Sequence, residues 1–270
     1  EDVGVAGHKN NYYGNTYYGH SIGASWGDID NDGDFDLVVA NLAHPRFFGF
    51  SDKSQVLVQE NGVFIDSQGD FQYPAGATGL RYQETHSVPN LGDFDNDGAL
   101  DLAISAIYDG RPTDFYYGQG DGTFRLSSYR SGLDFTNGWG IVHSDVDHDG
   151  DLDLFTSGGA YRNTRLHTGR WLQVRAVGTE QCNRAAIGAT VGLSISEGLR
   201  LGYVSGGNGQ GGQDSQTVHF GLGPGPINNV ISSIRVDFPG AGTVMFEGPF
   251  DTNQRLWLYE DGKVHFGFSP

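Results

Sequence analysis

The chain has 270 residues, 43 of them glycine, with 37% hydrophobic and 13% aromatic side chains and one cysteine; it is long enough for one large or two medium cores and too apolar for a disordered chain. Acidic residues outnumber basic ones 33 to 16, a net charge of −17, which repels phosphate backbones and anionic lipids and argues against nucleic-acid and membrane-surface partners. No stretch approaches the ~20 apolar residues of a spanning helix, and Glu1-Asp2-Val3 lacks the basic and apolar regions of a leader, so the expectation is a soluble, mature chain.

In chain order, Gly23-Ala24-Ser25-Trp26-Gly27 predicts a strand that runs into the acidic loop Asp28-Ile-Asp30-Asn-Asp32-Gly33-Asp34-Phe-Asp36, and Phe35-Asp36-Leu37-Val38-Val39-Ala40 predicts the strand that leaves it. The turn phrase Asn61-Gly62-Val63-Phe64 and then Gly79-Leu80 precede a second loop, Asp93-Phe-Asp95-Asn-Asp97-Gly98-Ala99-Leu-Asp101, which feeds the strand Leu100–Ile104. Asp121-Gly122-Thr123-Phe124 and Gly132-Leu133 repeat the phrase. The strand Gly138-Trp139-Gly140-Ile141-Val142 then enters a third loop, Asp145-Val-Asp147-His-Asp149-Gly150-Asp151-Leu-Asp153, followed by Leu152–Phe155. The loops begin 65 and 52 residues apart, near the length of a four-stranded propeller blade with its connections.

Together the loops hold 14 of the 33 acids. Carboxylates this dense repel one another, and a hard divalent cation taking roughly 6–8 oxygen ligands is the simplest way to hold them together. Positions 1, 3 and 5 point inward, Gly at position 6 makes the sharp turn, position 7 offers its backbone carbonyl, and position 9 closes the cage in bidentate fashion. Ala99 at position 7 fits that scheme, because only its carbonyl is required. Val39, Ile104 and Thr156 stand where an EF-hand would place its last Glu, so these are not helix-loop-helix sites. Filling all three would take the charge from −17 to −11.

Beyond Asn163 the acidic loops stop and short alternating strands follow: Trp171–Val177, Ala189–Ile195, Gln216–Phe220, Ser233–Phe238 and Arg255–Tyr259. The expected organisation is an all-β repeat domain over 1–168, a smaller β-domain over 169–262 and a tail over 263–270. Cys182 is alone and forms no intrachain disulfide, which leaves bound metal as the cross-link of an exported chain.

The Gly-Asp-x-Asp-x-Asp-Gly-x-x-Asp-Leu phrases at 27–37, 92–102 and 144–154, the last with Ser144 for Gly, resemble the FG-GAP/VCBS repeats of calcium-binding β-propellers, also used by integrin α heads. Trp171–Gly178, Asn183–Ala189, Val204-Ser-Gly-Gly207, His219-Phe-Gly-Leu-Gly223 and Ile234–Gly240 resemble the ASPIC/UnbV domain, which follows such repeats in the cartilage acidic protein family and its secreted bacterial homologues. The resemblance implies three calcium sites held by Asp28, Asp30, Asp32, Asp34 and Asp36, by Asp93, Asp95, Asp97, Ala99 and Asp101, and by Asp145, Asp147, Asp149, Asp151 and Asp153. It also implies a secreted, extracellular or cell-surface location. Those relatives close about seven blades, whereas three are visible here. Their open edges must meet the C-terminal domain, another chain or further blades, and self-association is expected.

His20, His86 and His143 precede the three loops on strands that would face a central channel, where imidazoles could hold a second metal or act as acid and base. Some VCBS-repeat proteins, the fungal aldos-2-ulose dehydratases, are metal-dependent sugar lyases; the preferred reading of the three histidines is nevertheless structural. His148 at position 4 is expected to face solvent. Tyr12, Tyr13, Tyr17, Tyr18, Trp26 and Trp139 could stack on a sugar but are read as blade-core packing. Gly207-Asn-Gly209-Gln-Gly-Gly212 has no βαβ context and is read as a flexible loop. The function expected is a secreted calcium-binding repeat protein in adhesion, extracellular structure or ligand binding, with a glycan or protein ligand. The alternatives are a lyase using the channel histidines and a filament or shell subunit.

Overall fold

In the computed structural model, residues 8–10, 16–18, 20–42, 53–66, 78–81, 83–164, 169–224 and 231–269 are described. A short hairpin, β1 (His8–Asn10) with β2 (Thr16–Tyr18), comes first. The first blade runs in sheet order β3 (Ser21–Gly27), β4 (Asp36–Asn41), β5 (Gln55–Glu60) and β6 (Val63–Asp66). The second is β7 (His86–Gly92), β8 (Asp101–Ala106), β9 (Asp114–Gly118) and β10 (Phe124–Leu126). The third has three strands, β11 (Ile141–Ser144), β12 (Asp153–Thr156) and β13 (Gly159–Tyr161). All neighbours are antiparallel, and each acidic loop is the bend between the first two strands of its blade.

The strands that leave the first two loops, β4 and β8, are buried at every position. That follows from their sequences, Leu37-Val38-Val39-Ala40 and Leu102-Ala103-Ile104, which are apolar on both faces and therefore need a neighbour on each. Val38, Leu102 and Ile104 join Leu91, Tyr116 and Phe124 in one core between the first two blades, and Phe94, Phe115, Phe135 and Leu154 form another between the second and third. Truncating Ile104 to Ala would cost roughly 2–5 kcal/mol.

The C-terminal part adds two sheets: β17 (Val218–Gly221), β14 (Trp171–Val177), β20 (Gln254–Tyr259), β21 (Val264–Phe266); and β16 (Gly198–Tyr203), β15 (Thr190–Ile195), β18 (Ile231–Phe238), β19 (Gly242–Phe250). They share a core containing Leu172, Val191, Ile234 and Leu256. Among the described residues the chain is thus all-β, with five sheets of three or four strands in a propeller-type arrangement and one short helix, α1 (Ser128–Ser131). About three blades were expected. The last two sheets carry no acidic loop, so the repeat that marks the others is missing from their sequence. Val264–Phe266 pairs with β20, so strand structure continues beyond residue 262.

The first strands of the blades lie side by side, β3 against β7 and β7 against β11. The glycine-rich segment expected to be a flexible loop is pinned across them. Gly209 bridges Gly23, Ala24 N donates to Asn208 O at 3.0 Å, and Ser215 N donates to His143 O at 3.1 Å. The glycines serve close approach rather than mobility: a Cβ on Gly209 would lie 2.8 Å from the Cα of Gly23.

Candidate metal centres

The three loops share one backbone design. Position 4 has a left-handed φ in each, Asn31 at 61°, Asn96 at 57° and His148 at 64°, and so does position 6, Gly33 at 96°, Gly98 at 97° and Gly150 at 91°. Asn tolerates that region and Gly is at ease in it, which is why these residue types recur there. Position 9 is a strut. Oδ2 of Asp36, Asp101 and Asp153 accepts the N–H of position 2, from Ile29 at 2.9 Å, Phe94 at 2.9 Å and Val146 at 3.2 Å. Oδ1 of the same three accepts an N–H from the following part of the blade, Gln59 at 2.9 Å, Gly118 at 2.9 Å and Asn163 at 2.8 Å. Position 9 therefore ties each loop to its blade, a role that the expectation of bidentate closure overlooked.

This design gathers carboxylates. One ligand atom from each of Asp28, Asp30 and Asp32 falls within 4.8 Å of the others, and the same holds for Asp93, Asp95 and Asp101 and for Asp145, Asp147 and Asp153. Asp34, Asp36, Asp97, Asp149 and Asp151 lie outside these sets, and Ala99 is buried. The position-5 residues Asp32, Asp97 and Asp149, the first inside its set and the other two outside, all cap backbone turns: Oδ1 of each accepts the N–H two residues on, from Asp34 at 2.9 Å, Ala99 at 2.9 Å and Asp151 at 3.1 Å.

The position-1 carboxylates are nearly as deep as those of position 9, where Asp36 and Asp101 are 0% exposed and Asp153 2%. Asp28 is 2% exposed, Asp93 3% and Asp145 5%. Both oxygens of Asp28 and Oδ1 of Asp145 are buried without a hydrogen-bond partner. Burial, then repulsion from Asp36, Asp32 and Asp30, pushes Asp28 up to about 7. Burial pushes Asp93 up to about 8 against the pull of the Gly98 N–H, and Asp36 up to about 6; Asp101 is held well above the carboxylate range by burial and by Asp93. Buried oxygens with no donor are costly unless a cation or a proton reaches them. The residues therefore fit a hard divalent ion: Asp28, Asp93 and Asp145 would be buried ligands to it, and position 7 supplies carbonyls as Ala99 requires.

The histidines do not converge. His20 is exposed. His86 is fully buried in another network, its Nδ1 2.8 Å from Ser54 Oγ and its Nε2 3.2 Å from Asp114 Oδ2, with Arg81 Nε donating to Asp114 at 2.7 Å. His143 Nδ1 lies 2.8 Å from Asn90 Oδ1 and 3.4 Å from Asp214. Among the described residues, no histidine belongs to a metal-ligating group. Trp26 and Trp139 are 40% and 44% exposed rather than packed in blade cores, although Trp26 meets Phe64 edge-on with ring centroids 5.7 Å apart. Tyr12 and Tyr13 fall outside the described residues, as do the side chains of Tyr17 and Tyr18. His148 is exposed but stacks on Phe268, with ring centroids 4.4 Å apart, because the C-terminal end of the chain crosses the third loop. Cys182 is buried, and burial raises its thiol pKa, so it is not a reactive thiolate.

Sequence reasoning missed two charged or polar neighbours of the third loop: Arg162, 2.5 Å from Asp147, and Gln173, whose Nε2 donates to Asp145 Oδ2 at 2.8 Å. Neither has a local motif that would announce it. Residues 93–156 match the family model of the FG-GAP-like repeat, and residues 178–267 match that of ASPIC and UnbV. No curated protein matches the chain.

Proposed function

Because the chain is an FG-GAP repeat protein with an ASPIC/UnbV domain, we propose that it is a calcium-binding β-repeat protein of the extracellular space, acting in adhesion, matrix structure or ligand binding, with three ions that rigidify its blade loops. The observation that carries this reading is the set of buried position-1 carboxylates, with Oδ1 of Asp145 unpartnered and the oxygens of Asp28 near the Gly33 N–H but without a well-formed hydrogen bond. All-oxygen cages suit calcium better than zinc or copper. Millimolar extracellular calcium would keep even weak sites filled, and ions bound only by the folded chain stabilise it by mass action. Location and mechanism agree.

Self-association belongs to the same reading, since β6 and β10 end their sheets among the described residues, as does a glycan or protein ligand. The channel-histidine lyase lacks comparable support, because His86 and His143 sit in separate hydrogen-bond networks.

Calorimetric titration of the chelator-stripped chain should show three calcium ions bound, and excess chelator should lower the melting temperature by many degrees. A melt that is the same in chelator and in calcium overturns the proposal.

A further inference from the structure

The second and third loops are roofed by the C-terminal part of the chain. Gly221 of β17 lies directly on Asp93: a Cβ there would come 1.8 Å from Asp93 Oδ2, so only glycine lets the strand settle on the carboxylate. His219 Nε2 lies 2.7 Å from Asn96 Oδ1, and Gly223 N donates to Asn96 O at 2.9 Å. Asn96 in turn donates through Nδ2 to Gly150 O and Asp151 Oδ1 of the third loop, both at 3.1 Å. On that loop the indole of Trp171 covers Gly150, where a Cβ would lie 2.0 Å from the ring.

Gln173 completes the roof. Arg255 donates to its Oε1 through Nε at 2.9 Å and through a terminal nitrogen at 2.7 Å, which fixes the amide with its NH2 toward Asp145. Gln173 is 1% exposed and Arg255 9%. Oδ2 of Asp145 is thereby occupied by Gln173 and by Gly150 N at 3.2 Å, so that Oδ1, buried and unpartnered, is the oxygen left for an ion. The first loop has no such cover; it meets this part of the chain through apolar contacts, Phe35 edge-on to Tyr203 with centroids 5.7 Å apart and Gly33 beside Leu199.

We propose that the C-terminal sheet is the outer wall of the second and third cation sites, with Gln173 a positioning residue that aims Asp145, so that ion binding and docking of this sheet are one linked equilibrium while the first site binds independently. The inference rests on the loops holding calcium. Its physical basis is reciprocity: if docking orders the ligands, occupied ligands favour docking by the same factor. Groups that orient ligands from outside typically change metal affinity by about 10–100-fold.

The test uses the full chain labelled with 5-fluorotryptophan, the Trp171 resonance being assigned with Trp171→Phe, and calcium alone as the ligand. Stripping the wild-type chain with chelator should shift or broaden the Trp171 resonance, and calcium should restore it. Asp30→Asn should remove one calcium from the calorimetric titration yet leave the calcium response of Trp171 in place. Gln173→Leu should weaken one of the three sites about tenfold. The wild-type measurement requires no variant to fold. Absence of calcium binding by the wild-type chain overturns the calcium reading and this inference with it. Three bound ions with a Trp171 resonance indifferent to chelation overturn this inference alone, as does a Gln173→Leu chain that folds and keeps all three affinities.

Discussion

Arg162 lies 2.5 Å from Asp147 and 3.3 Å from Asp149, a guanidinium standing in the field of the third loop. An entering divalent ion must share or displace that charge. The pair is exposed and therefore weak in stability terms, but its sign matters for cation binding: removing a positive charge beside an acidic cage strengthens the cage. Arg162→Gln is expected to tighten calcium at one site severalfold at low salt, with the gain shrinking as salt rises. Calorimetric titration at two ionic strengths checks this, and weaker binding in the variant would mean that Arg162 organises the loop rather than competing with the ion.

The raised carboxyls of the first two loops fix the sign of a pH effect. Burial holds Asp36 up to about 6, Asp28 up to about 7 and Asp93 up to about 8, each above its unfolded value of 3.8. The folded chain therefore binds more protons than the unfolded one. The stability tied to these groups is complete below pH 3.8 and is lost as pH rises through 6 to 8. In chelator, the melting temperature should fall steadily from pH 5 to pH 8.5. With calcium present the fall should vanish, since the ion replaces the protons. A chelated chain whose melt is flat across that range contradicts the assignment.

The sequence made the loops legible because each repeats the same spacing, and it made β14, β18 and β20 legible because Ser233–Phe238 alternates apolar with polar residues while Trp171–Val177 and Arg255–Tyr259 are short runs rich in apolar and aromatic residues. It hid β16 and β19. Gly198–Tyr203 carries two glycines and no buried position, and Gly242–Phe250 contains Gly248-Pro249, which reads as a breaker although the strand passes through it. The role of Asp36, Asp101 and Asp153 was half visible: their recurrence is in the sequence, but that they brace backbone N–H groups depends on where the next strand returns. Gln173 on Asp145 was invisible for the same reason, since 28 residues of chain separate them and nothing local brings them together.

A carboxylate of the opposite kind secures the C-terminal sheets. Glu260 accepts backbone N–H groups from Thr179 at 2.6 Å, Glu180 at 3.1 Å, Gln181 at 2.8 Å and Cys182 at 3.2 Å. These bonds, that from Thr179 foremost, hold its carboxyl down to about 2 from an ordinary 4.5. Because the folded value is depressed, the stabilisation is present above pH 4.5 and fades as pH falls toward 2. Glu260→Gln should lower the urea midpoint at pH 7, and the difference from wild type should close at pH 2. A gap that persists at pH 2 would mean that shape rather than charge holds the 179–182 turn.

The segment 205–215 makes the strongest single-residue prediction, because it reaches all three blades at once. Asp214 Oδ1 accepts from Asn90 Nδ2 at 2.6 Å on β7 and from His143 N at 2.9 Å on β11, while Asn208 donates to the other oxygen and Gly209 faces Gly23 on β3. Gly209 has φ 120° and no room for a Cβ, which would lie 2.8 Å from Gly23 Cα and 2.9 Å from Ile22 O. Gly211 has φ 73° but open space around it. Gly211→Ala should therefore carry only the left-handed penalty, about 1–2 kcal/mol. Gly209→Ala adds a backbone clash and should cost roughly 2–4 kcal/mol. Urea unfolding of the two variants side by side measures the close approach together with the stricter glycine-only backbone of Gly209, whose φ of 120° lies farther from the left-handed region than the 73° of Gly211. Equal losses would show that Gly209 carries neither the extra backbone strain nor the tight contact with β3, and the three blades would then need some other clamp across their first strands.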